Sequence, residues 1–282
     1  MRTTFLAIVF TSLILPVSTL AQERDQSDLH VVRLGAGDRV IVMLHGGPGI
    51  RHNYLRPEWD ALATEGRLIY YDQRGCGLST PEGPHSWEQH VEDLHGLVRR
   101  ESVGSRVTIA ASSWGTLLAL MYARSYPATV SELVLSGLPP WPDAEQVAAF
   151  LSEMPQEQQE LFRNLSSGSS TSDWMLDSAT VANSGAFHPA LGPRVGATCT
   201  GAGRATYFSL ATLFPADSLR TVTVPVLIVR GPDADPSVDG ARSLADLLPN
   251  ATLTELEATG HNPWADDPTR FFEAVRKFLT RK

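Results

Sequence analysis

The stretch from Val107 to Leu118, V-T-I-A-A-S-S-W-G-T-L-L, changes character in its middle. Val107 to Ala110 is an apolar, β-branched run, whereas Leu117 opens a helical repeat continued by Met121. A strand that turns straight into a helix at a serine presents that side chain at the end of a parallel sheet. Such an elbow needs small residues two positions to either side of the exposed one. Ser113 has Ala111 and Gly115 there, while Ser112 would meet Trp114, so Ser113 is the candidate nucleophile. Taken alone, a serine in this place is equally a helix cap. The rest of the chain decides between the two.

Working outward, Arg39–Leu44, Arg67–Tyr71, Arg106–Ala110, Glu132–Leu135 and Pro225–Val229 are short, nearly continuous apolar runs. Runs of that kind suit strands of a parallel sheet covered on both faces. Trp87, Val91, Leu94 and Val98 repeat at helical spacing between them, as do Phe271, Val275 and Phe278 near the end. Asp267-Pro268 gives the last helix an N-cap followed by proline at its first position. Strand and helix in alternation predict an α/β chain with a doubly wound sheet. The alternation lapses over 138–219, which begins with Pro139-Pro140-Trp141-Pro142 and includes the Gly/Ser-rich Ser166–Ser172. We read 22–137 and 220–282 as the core and 138–219 as an inserted helical subdomain.

The chain has 282 residues, 43% of them hydrophobic, enough for a sizeable core. A net charge of −8 without a lysine or arginine run leaves no surface for nucleic acid. Residues 1–21 have the form of a secretory signal peptide, with Arg2, the apolar Phe5–Leu15 and Thr19-Leu20-Ala21 before a cleavage site. Cleavage after Ala21 would give a secreted or periplasmic protein without stable membrane insertion. The two cysteines, Cys76 and Cys199, form either one disulfide or two thiols, and the oligomeric state stays open.

Other motifs surround the elbow. His45-Gly46-Gly47-Pro48-Gly49 follows the first clear strand, and the amides of Gly47 and Trp114 are candidate donors to an oxyanion. His261, after the last strand and before the last helix, is the candidate general base. Asp235 is the candidate acid, with Asp233 as its alternative; the chain order Ser, acid, His is that of a strand-elbow hydrolase. His85, His90 and His95 read as surface positions and His45 as a structural residue of its turn.

His45–Gly49, Asp72-Gln-Arg-Gly-Cys-Gly-Leu-Ser79 and Ser112-Ser-Trp-Gly115 together resemble the proline iminopeptidase family of α/β-hydrolases, the S33 serine aminopeptidases. The resemblance implies a mostly parallel eight-stranded sheet, a helical cap between strands 6 and 7, and no metal or cofactor. It also implies a Ser113-Asp235-His261 triad acting through an acyl-enzyme on short peptides or other small substrates. A carboxylesterase or amidase with an altered cap is the alternative, and a non-catalytic binding protein of the same fold a more distant one. The family reads a free amino terminus with cap glutamates, one of them shortly before a Tyr-Phe pair. Here Arg204 precedes Tyr207-Phe208, which predicts altered recognition by these three residues.

Overall fold

The computed structural model describes residues 29–80, 82–153, 155–167, 191, 200–232 and 238–281. The N-terminal segment 1–28, Cys199, Asp233 and Asp235 lie outside them, as do Asp173, Trp174 and Phe187 of the insertion.

Seven strands form one sheet: β1 (Val31–Leu34), β2 (Val40–Leu44), β3 (Arg67–Tyr71), β4 (Val107–Ser112), β5 (Val130–Ser136), β6 (Val226–Arg230) and β7 (Ala251–Glu255). Their order is β1-β3-β2-β4-β5-β6-β7. Only β1 runs antiparallel, pairing Val31 with Tyr71 and Leu34 with Leu68. The expected eight strands are thus seven among the described residues, and the insertion follows the fifth rather than the sixth. Among the described residues the sheet starts at β1, whose half-exposed residues suit an edge.

The sheet is buried because its apolar residues alternate between two cores. From β2, Val40, Val42 and Leu44 enter one core and Ile41 and Met43 the other. The first core is closed by α1 (Trp87–Ser102) and α2 (Trp114–Ser125). The second is closed by the 3-10 turns over 52–64 and by α8 (Pro268–Leu279), with Trp59, Trp264, Phe271 and Phe272 in edge-to-face contacts. Both helix starts carry side-chain caps: Ser86 accepts from the Gln89 amide and Asp267 from the Arg270 amide.

Between β5 and β6 the chain forms α3 (Ala144–Glu153), α4 (Gln156–Ser167) and α5 (Thr200–Ser209). α6 (Val238–Leu247) follows β6, and the short α7 (Pro263–Asp266) precedes α8. The helix α5 lies against α1, where Thr206 Oγ1 meets His90 Nε2 at 2.9 Å. His90 is therefore buried, and so is His85 just before the helix, each 3% exposed and not at the surface as the helical pattern suggested. The pattern marks the face of α1 that meets the sheet; the inserted helix covers a second face. His95 stacks on Tyr126 with ring centroids 3.7 Å apart.

Candidate active site

The parallel strands end on one side of the sheet, and the His45–Gly49 turn, the Asp72–Ser79 motif, the serine elbow and the loop of His261 each follow such an end. β4 runs into Ser113, whose φ of 54° and ψ of −127° fall in a region that side chains rarely adopt. That conformation costs on the order of 1–3 kcal/mol and must be held by its surroundings. The Ser113 N–H donates to Ser136 O of β5 at 2.9 Å, and its carbonyl accepts from the Thr116 N–H at 2.8 Å. Gly115 is required here, though not for the reason the sequence suggested. A Cβ on it would stand 2.6 Å from Leu44 O and 2.7 Å from His45 O. The small residue after the serine lets the first turn of α2 pass over the end of β2.

The turn after β2 lies beside the elbow, with the place of a Gly46 Cβ only 3.0 Å from Ser113 Cβ. Gly47 has φ of 117° and precedes a cis peptide to Pro48; a Cβ there would stand 2.7 Å from Gly49 N. The Gly46 N–H is already engaged by Tyr54 Oη at 2.9 Å, which leaves Gly47 as the loop's candidate oxyanion donor. Trp114, at the first position of α2, has an amide that no preceding turn can accept. Gly47, Ser113 and Trp114 all line one cleft of about 940 Å³.

His261 reaches the same end of the sheet by packing on Gly137, the residue after β5. A Cβ on Gly137 would lie 2.3 Å from His261 O and 3.3 Å from its Cε1. Likewise Gly231, directly after β6, leaves room for Thr259 O, which would be 1.8 Å from a Cβ. The loop bearing the histidine is thereby laid against the start of the loop that carries Asp233 and Asp235. Those two carboxylates lie outside the described residues.

The remaining wall of the cleft comes from the insertion and its entry: Pro139–Pro142, Asp143, Gln146, Val147, Tyr207 and Leu210. The wall is mostly apolar; its polar groups are Gln146, the Tyr207 hydroxyl and Asp143, whose Oδ1 accepts from the amides of Glu145 and Gln146 at the start of α3. Arg204, Tyr207 and Phe208, grouped in the sequence, part company here. Tyr207 lines the cleft, Phe208 belongs to the core, and Arg204 is exposed and absent from the lining. Trp141 also lines the cleft, with Phe214 behind it at 5.2 Å between rings.

Behind the cleft the polar groups are buried and their ionisation is shifted. His45 is fully buried, and desolvation lowers its pKa to about 4. Desolvation likewise lowers His90 to about 3, with His85 and Arg74 adding repulsion. Burial would raise the Asp72 carboxyl, but hydrogen bonds from His52 and the Leu78 amide outweigh it and bring the pKa to about 2. Sequence reasoning missed Tyr54, Asp143 and the role of Gln73. Only Gln73 carried a signal, since it sits inside a quoted motif. Cys76 is buried nearby.

A strained serine elbow, a glycine turn and a histidine loop gathered at the carboxyl ends of a parallel sheet define the α/β-hydrolase class. Over residues 41–274 the chain matches the model of the alpha/beta hydrolase family, and it belongs to that family. Within it, the resemblance drawn from the motifs extends over most of the chain. A proline iminopeptidase of Clostridium botulinum is 29% identical over 267 residues, 86% of this chain and 89% of the relative. The solved proline iminopeptidase of Mycobacterium smegmatis has a TM-score of 0.63 at 22% identity, covering 90% of this chain and 95% of that one. A thermophilic esterase from Thermogutta terrifontis has a TM-score of 0.66 at 21% identity, covering 89% of this chain and 92% of the esterase. Those two structural likenesses speak to the fold.

Proposed function

We propose that the protein is a serine hydrolase that works through an acyl-enzyme, and that its preferred substrates are peptides with a free amino terminus. The observation that carries the reading is the strained Ser113 on a cleft shared with Gly47 and Trp114, with His261 backed onto Gly137. In this mechanism His261 accepts the Ser113 hydroxyl proton as Oγ attacks a carbonyl carbon. Asp235, or Asp233 in its place, orients the imidazole, and the two amides receive the charge on the carbonyl oxygen. The proton then passes to the leaving group, and water, deprotonated by His261, releases the acyl product.

Likeness to proline iminopeptidases supports the aminopeptidase reading. So does Asp143, the one carboxylate among the described residues lining the cleft. A carboxylesterase or amidase is the second reading, favoured by the mostly apolar wall. The helical insertion acts as the cap in either case. Export belongs to the same proposal, with the mature chain starting at Gln22, as N-terminal sequencing of exported protein would test.

The deciding experiment compares kcat/KM on prolyl and alanyl arylamides with free and blocked amines, and on short aryl esters. Ser113→Ala is expected to abolish turnover of all of them. Preference for free amines, reduced a few-fold in Asp143→Asn, fits the aminopeptidase; equal or faster turnover of blocked amides and esters selects the second reading. Asparagine still caps α3, so that variant isolates the charge, which at an exposed position is worth only about 0.2–1 kcal/mol.

A further inference from the structure

The turn that carries Gly47 is held by groups the mechanism does not use. The peptide between His45 and Gly46 is fixed at both ends. Its carbonyl accepts from Gln73 Nε2 at 2.9 Å, and its N–H donates to Tyr54 Oη at 2.9 Å. The next peptide, Gly46–Gly47, is fixed by its carbonyl, which accepts from His45 Nδ1 at 2.8 Å. In a planar trans peptide the carbonyl and the N–H point in opposite directions, so this bond turns the Gly47 N–H away from the His45 ring.

That bond requires the proton to sit on Nδ1. The Gln73 main-chain N–H donates to His45 Nε2 at 3.0 Å, which selects this tautomer. Gln73 also faces the other half of the site, because its Oε1 accepts from Trp114 Nε1 at 2.9 Å. With Gln73 only 1% exposed, these protein groups take the place of water. A buried amide of this kind is costly to leave half-satisfied, and so holds its partners in one arrangement.

We infer that Gln73 is the positioning residue of the oxyanion site, a single side-chain amide that registers the glycine turn after β2 to the first turn of α2. The inference rests on the reading of Ser113, Gly47 and Trp114 given above. Gln73 touches no substrate; it acts through His45 and Trp114, keeping the two amides at one separation before charge develops between them. Donors fixed in advance cost no reorganisation in the transition state, and loss of one such donor lowers kcat by about 10²–10³. Loosening both by way of Gln73 should cost somewhat less.

The test uses Gln73→Glu, which keeps the acceptor for Trp114 but loses the donor to His45, and Gln73→Met, which keeps the bulk and loses both bonds. Each is assayed on p-nitrophenyl acetate or the best substrate of the panel, and against an aryl boronic acid. The boronic acid mimics the transition state by bonding to Ser113 Oγ as a tetrahedral anion while the hydroxyl proton passes to His261. The expected result is a kcat lower by about 10- to 10²-fold with KM within about twofold, and boronate inhibition weakened by the same factor as kcat. Wild-type kcat in a folded variant, or a change confined to KM, overturns the inference. So does failure of both variants to unfold cooperatively, which would make Gln73 a folding residue. Ser113→Ala runs alongside: activity surviving in it sinks the reading of the site, whereas activity lost there but kept in both Gln73 variants sinks only this inference.

Discussion

Glycines and the strained serine set the geometry of this site, and two glycines separate strain from contact. Gly137 and Gly104 both have positive φ, 62° and 86°. A Cβ on Gly137 runs into His261, whereas one on Gly104 meets nothing within 4 Å. Alanine at either position pays about 1–2 kcal/mol for the left-handed backbone. Only Gly137→Ala should also displace the histidine, and a shift of about 1 Å costs on the order of 10² in rate. Steady-state kinetics beside a thermal melt would check this: both variants lose stability, and only Gly137→Ala loses kcat. Equal kinetics in the two would mean that His261 does not act from this position.

Among the elements, α8 is the clearest case of a helix specified by its own sequence. Its start was legible as Asp267-Pro268, and the structure places Asp267 Oδ1 3.0 Å from the Arg270 amide. Asp267→Ala is expected to lower stability by the loss of this cap, read as a lower Tm in a thermal melt. Since α8 packs on the face of the sheet opposite α2, kcat should stay unchanged; a fall in kcat would show that the C-terminal helix is coupled to the elbow. The helix α1 is the opposite case. Its sheet-facing stripe could be read from one segment, but its second buried face depends on α5, 116 residues further along at the Thr206 contact.

For the whole molecule, buried neutral histidines predict sensitivity to mild acid. In the unfolded chain His45 and His90 titrate near 6.5; in the fold they are held to about 4 and about 3. A histidine with a depressed folded pKa contributes stability that is complete above the unfolded value and lost as pH falls below it. Each should withdraw about 1.4 kcal/mol per pH unit below 6.5, down to its own folded pKa. Asp72, with a folded pKa of about 2, adds stability above about 3.8 that disappears as pH falls toward 2. Urea unfolding at pH 7.5, 6 and 5 should therefore show a falling midpoint, and His90→Gln should remove about half of that slope. His90 faces His85 and Arg74 and lies near His45, so a slope unchanged in His90→Gln would assign the loss to those neighbours.

The sequence by itself determined five of the strands, the helices at 87, 114 and 268, and Ser113 as the residue on the elbow. Those features arise from sterics and apolar spacing within a turn or a pleat of the chain, and each can be read from a dozen consecutive residues. The class of fold followed from their order. What only the tertiary structure decided is which distant groups face one another. His90 is buried because an inserted helix lies over it, and Arg204 leaves the cleft to Tyr207 although both sit on that helix. Gly115 is needed for the carbonyls at the end of β2, and Gln73 meets His45 and Trp114 across 28 and 41 residues. Such contacts depend on how the sheet closes and on where water is excluded, and neither is encoded in any one local stretch.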